Sequence, residues 1–115
     1  MNNKKVVILF IYVIFMILNS VIIFSFESHL WKYDKYIHFI EFFILGLLTI
    51  NIFIKQIDTK TFIILFFLII CIALFDEGIQ YLIPSRIPDI YDLYYDIVGG
   101  FLGMFTLLLK ENIYG

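Results

Sequence analysis

Fifteen consecutive residues, TFIILFFLIICIALF at 61–75, carry no charge, and Asp76 and Glu77 follow them directly. Extended to 83, this run is long enough to cross a bilayer as a helix, which takes about 20 mostly apolar residues. Three further runs have the same character. They are 6–26, interrupted by Asn19 and Ser20; 36–54, with His38 and Glu41 near its start; and 92–109, with Asp96 one turn in. The connections FESHLWKYDK, KQIDTK and PSRIPDIY are too short to fold alone. The pattern predicts an all-α membrane protein, a compact bundle of four transmembrane helices forming one domain over 1–115. Composition points the same way, with 63% hydrophobic and 16% charged residues, against about 45–50% and about 25% in soluble domains.

Lys4 and Lys5 precede the first run as in a secretory signal. That run is longer than a signal core of about 7–15 residues, and no small-residue cleavage motif follows it, so an uncleaved span is expected. Basic residues beside the spans orient the bundle. Lys4, Lys5, Lys55, Lys60 and Lys110 fall on one side, and Lys32, Lys35 and Arg86 on the other. This bias places both termini in the cytoplasm. A net charge of −2 without a basic stripe excludes nucleic acid as a partner. Cys71, the single cysteine, is expected to be a small buried core residue.

Acid placement then becomes informative. Glu27, Asp34, Glu41, Asp76, Glu77, Asp89, Asp92 and Asp96 all fall in the outer half of this topology, with both histidines, His29 and His38. Asn19, Ser20, Thr49 and Asn51 are the polar residues expected of the inner half. On the second helix Asp34, His38 and Glu41 share one face. On the third, Asp76 and Glu77 crowd one side with Gln80, and on the fourth Asp92, Asp96, Gly99 and Gly103 form a stripe. An aspartate at a span's centre costs about 2.5–3.5 kcal/mol, so these stripes turn inward around a pocket open to the outside. Gly99 and Gly103 allow close approach of a neighbouring helix.

Pro84 and Pro88 end the third helix and stiffen the loop that follows. Within it Arg86 offers a planar fork of donors to nearby carboxylates or to an arriving anion. Trp31 and most tyrosines, among them Tyr36, Tyr81, Tyr91 and Tyr94, lie at the outer ends of spans as an interfacial aromatic belt does.

Taken in order, DKYIHFIEFFILG at 34–46, DEGIQYLIPSR at 76–86 and DIYDLYYDIVGGFLG at 89–103 resemble the VanZ-like family of small bacterial membrane proteins. The specific part is D-E-x-x-Q, then P-x-R, then D-x-x-D, supported by D-K-x-x-H-F. Asp34, Lys35, His38, Asp76, Glu77, Gln80, Arg86, Asp92 and Gly99 occupy motif positions. The chain departs from the family in having Ser85 where glycine is usual and Asp96 where asparagine is usual, and the latter adds an acid to the pocket. The resemblance implies a four-helix membrane fold, an envelope setting and an association with low-level tolerance of the glycopeptide teicoplanin. It supplies no reaction.

Three functions compete. A binding module would present Asp34, Lys35, His38, Glu41, Asp76, Glu77, Gln80, Arg86, Asp92 and Asp96 to a lipid-linked cell-wall precursor or a glycopeptide at the bilayer surface. An intramembrane enzyme would use His38, Glu41, Asp76 and Glu77 as metal ligands or as base and acid on a lipid head group. A lipid transporter would need a polar path through the inner half, which is sparse. The bilayer is the one partner common to all three, and no organic cofactor motif is present.

Overall fold

The computed structural model describes residues 3–26, 34–82 and 90–114. Four helices fill them: α1 (Asn3–Phe26), α2 (Asp34–Ile52), α3 (Thr59–Tyr81) and α4 (Ile90–Tyr114). A single 3-10 turn at Ile54–Gln56 links α2 to α3. The fold is all-α, and α2, α3 and α4 are each long and apolar enough to cross a membrane.

Local chemistry sets two of the boundaries. Asp58 caps α3, its Oδ1 accepting from the Thr61 backbone N–H at 2.7 Å while its carbonyl accepts from Phe62 N–H at 2.9 Å. Those Thr61 bonds hold the Asp58 carboxyl below its ordinary value. At the other end, α3 stops at Tyr81, three residues before Pro84, and Leu82 N–H turns back onto the Ile79 carbonyl at 3.0 Å. The fourth helix is longer than its apolar run, because Lys110, Glu111 and their neighbours extend the helix past the point where charge ends the hydrophobic stretch.

α2 and α4 run parallel and make the most extensive contact in the molecule. Glycine makes this possible. A Cβ on Gly99 would lie 2.5 Å from the Phe39 carbonyl oxygen, and one on Gly103 would collide with the Phe43 carbonyl. From the other side, a Cβ on Gly46 would collide with the Gly100 carbonyl. Two backbones therefore touch directly, which is how helices associate where lipid supplies no hydrophobic drive between them. The 3- and 4-residue spacings then carry the register up both helices: Lys35 meets Asp92 and His38 meets Asp96.

α3 runs antiparallel to this pair, Ile69 packing on Gly100, and α1 lies antiparallel to α2. Lys5 Nζ donates to the Asn51 carbonyl (3.0 Å), Tyr12 Oη to the Glu41 carbonyl (2.7 Å) and Asn19 Nδ2 to Glu41 Oε1 (2.6 Å). Asn19 is thus at the depth of Glu41, not beside Thr49 and Asn51 in the inner half where it was expected. The reason is direction: α1 runs toward the end at which α2 begins, so a residue near its C-terminus meets the first turns of α2.

Polarity is inverted relative to a water-soluble bundle. His38, Thr49, Asp76, Glu77, Asp92 and Asp96 are buried, whereas Phe10, Ile11, Ile63, Phe67 and Phe75 are all at least 60% exposed. Charge inside and large apolar side chains outside is the arrangement that lipid selects. Cys71 is a correction to the expected core placement: it is exposed, on the outward side of α3 with Phe67, Leu68 and Phe75.

Candidate polar site among the helices

Each wall of the site follows from a helical stripe. His38 stands one turn into α2, Asp76 one and a half turns from the end of α3, and Asp96 less than two turns into α4. At about 1.5 Å of rise per residue they sit roughly 6–9 Å inside the helix ends. Parallel α2 and α4 with antiparallel α3 bring these three ends together, so the residues meet at one depth.

His38 Nδ1 lies 2.7 Å from Asp96 Oδ1 and 3.8 Å from Asp76 Oδ2. His38 Nδ1 and Asp96 Oδ1 share a single hydrogen bond, whose donor is set by the imidazole tautomer. All three residues are buried, at 2%, 3% and 0% exposure for His38, Asp76 and Asp96. One donor atom from each falls within 4.8 Å of the others. Glu77 is also buried, and its charge bears on Asp96 together with those of His38 and Asp76. Asp96 Oδ2 has no hydrogen-bond partner among the described residues.

A second tier lies one turn nearer the helix ends. Lys35 Nζ is 3.6 Å from Asp92 Oδ1, with the lysine side chain 40% exposed and the aspartate 3%. Asp92 is in the first turn of α4, where a carboxylate also complements the helix dipole. Lys35 thus bridges a buried carboxylate and the surface.

Of the residues expected to form the site, Lys35, His38, Asp76, Glu77, Asp92 and Asp96 occupy this end of the bundle. Glu41 turns toward α1 instead, where Asn19 holds its carboxylate. The side chains of Asp34 and Gln80, and all of Arg86, lie outside the described residues. Tyr12 and Asn19 are polar contributors that the stripes of α2, α3 and α4 did not reveal; an asparagine inside an apolar run was the available signal. Tyr36, Tyr81, Tyr91 and Tyr94 are exposed at the same end. A groove of about 440 Å³ at the opposite end, lined by Phe62, Phe101, Phe105 and Leu108, is apolar apart from its Asp58 and Thr59 rim.

Fold and site together define a helical membrane protein with a buried histidine–carboxylate centre near one end of its bundle. The VanZ/LLP1 profile matches residues 3–111, and the chain belongs to that family. No curated protein and no solved structure matches it.

Proposed function

We propose that this chain is a four-span protein of the bacterial cytoplasmic membrane, with α1 as the fourth span and both termini in the cytoplasm. Its polar end faces outward and recognises the head group of a lipid-linked cell-wall precursor or a glycopeptide ligand, giving low-level teicoplanin tolerance. The carrying observation is the convergence of Lys35, His38, Asp76, Glu77, Asp92 and Asp96 from three helices at one end of an otherwise apolar bundle. Burying five of these ionisable groups, all but Lys35, is costly, and specifying helix packing needs fewer. The family supports the envelope setting.

The test is susceptibility of a sensitive Gram-positive host expressing the chain, with teicoplanin compared against vancomycin. Tolerance of the lipidated drug should rise, and Glu77→Gln and Arg86→Ala should each erase it at matched membrane abundance. Unchanged susceptibility to both drugs would sink the tolerance reading. An enzyme acting on the same head group is the second reading, favoured by the buried acid–base pair His38–Asp96.

A further inference from the structure

We propose that His38, Asp76 and Asp96 form the binding site of one divalent transition-metal ion, Zn²⁺ or Mn²⁺, with at least one coordination position left for an exogenous oxygen ligand. The proposal deepens the enzymatic reading of the same cluster, and metal binding is measurable without it.

The geometry is the first support. Donor atoms from three different helices lie within 4.8 Å of one another, with Nδ1 2.7 Å and 3.8 Å from its two carboxylate neighbours. A metal bound at about 2.0–2.2 Å from each ligand sets neighbouring donors roughly 3–4 Å apart, so the Nδ1–Oδ1 hydrogen bond gives up its proton and widens slightly while Asp76 closes in. The helices bearing two of these ligands are locked by backbone contact at Gly99 and Gly103, which fixes where His38 and Asp96 can stand.

The second support is independent of spacing. Asp96 is fully buried, and its Oδ2 is an acceptor without a partner among the described residues. Its bond to His38 uses only Oδ1, and Oδ2, on the same carboxyl carbon, is held beside the cluster. Leaving such an oxygen unsatisfied costs the desolvation of a buried acceptor, which a cation at this point would recover. The donor set agrees: two carboxylates face one imidazole, which suits a divalent cation.

Donor chemistry narrows the ion. Imidazole suits zinc and its neighbours, carboxylate suits manganese, magnesium and calcium, and a mixed set selects zinc or manganese over the all-oxygen ions. Thiolate-preferring ions are disfavoured because Cys71, the single cysteine, faces outward from α3 away from the core. Three protein ligands with an open position is the pattern of sites that act on a bound oxygen ligand.

The experiment uses the full chain in detergent, stripped with a chelator and reloaded separately with Zn²⁺ and Mn²⁺, with metal content and thermal unfolding followed together. One ion per chain should bind and raise the unfolding temperature. Asp96→Asn and His38→Gln should each weaken binding by about tenfold or more, since even partners behind the ligands contribute that much. Glu41→Gln, on the α1 side, should bind as the wild type does. X-ray absorption on the loaded wild type should show one nitrogen and oxygen neighbours without sulfur, a readout that holds if a variant fails to fold. Wild-type protein that takes up neither ion, a shell containing sulfur, or an Asp96→Asn variant that binds normally would overturn the site. Wild-type protein that takes up neither ion yet confers tolerance would overturn the site and leave the binding reading standing; one bound ion per chain without tolerance would support the site and overturn that reading.

Discussion

His38 and Asp96, 58 residues apart in the chain, meet with Nδ1 and Oδ1 separated by 2.7 Å inside a bundle whose outer surface is Ile, Leu and Phe. Removing one partner of such a pair leaves the other charge buried, at a typical cost of about 3–5 kcal/mol. His38→Leu alone and Asp96→Leu alone should therefore each destabilise the protein strongly. The double Leu variant should recover part of the loss, because Asp96 no longer needs a partner while the buried Asp76 still lacks its imidazole. Denaturant titration of helicity in detergent checks this, and a double variant as unstable as the worse single one would contradict it.

Glycine positions on the helices should separate cleanly by what a methyl group meets. At Gly103 it meets the Phe43 backbone carbonyl and at Gly99 the Phe39 carbonyl, neither of which can move aside. Gly103→Ala should force α2 and α4 apart and lower the amount of folded protein in membranes. Gly78 has nothing within 4 Å of the added carbon. Gly78→Ala should be neutral or stabilise α3 by about 0.5–1 kcal/mol, as alanine replaces glycine inside a helix. Proteolysis of isolated membranes ranks the variants.

The contact between Asn19 and Glu41 docks α1 on α2 at 2.6 Å. Hydrogen bonds between membrane helices average about 0.6 kcal/mol and reach about 1.7. Asn19→Leu should cost no more than that and leave metal uptake unchanged, because Glu41 stands outside the His38, Asp76 and Asp96 trio. A loss of metal binding in this variant would place α1 in the site.

Asp58 gives a pH dependence with a definite sign. Its folded-state carboxyl lies below the ordinary 3.8 because Thr61 bonds the ionised form. The cap therefore stabilises α3 fully above that unfolded value, and the contribution is lost as pH falls through the depressed folded value. Asp58→Ala should lower the unfolding temperature at neutral pH and match wild type more closely in strong acid. Melting curves across pH 2–7 are the check, with roughly that range set by ordinary carboxyl titration.

How far the sequence reached depends on the scale asked. Long uncharged runs fix helices because a backbone in lipid must satisfy its own hydrogen bonds, and α2, α3 and α4 follow from that alone. Stripes at 3- and 4-residue spacing name the face that each helix turns inward, and His38, Asp76, Asp92 and Asp96 are all found buried on it. Gly99 and Gly103 announce a close helix neighbour without saying which.

Spacing within a helix cannot name the partner across it. That α2 and α4 lie parallel in backbone contact, that Asp96 and Asp76 flank His38 while Glu41 turns to Asn19, and that Cys71 faces outward all depend on which helix occupies which side. Tertiary packing decides these because hydrophobicity alone does not discriminate one apolar helix face from another, whereas backbone clearance at glycine and the pairing of buried charge do. The sequence by itself determined a helical membrane chain with its acids gathered toward one end. The arrangement of those acids around one histidine belongs to the fold.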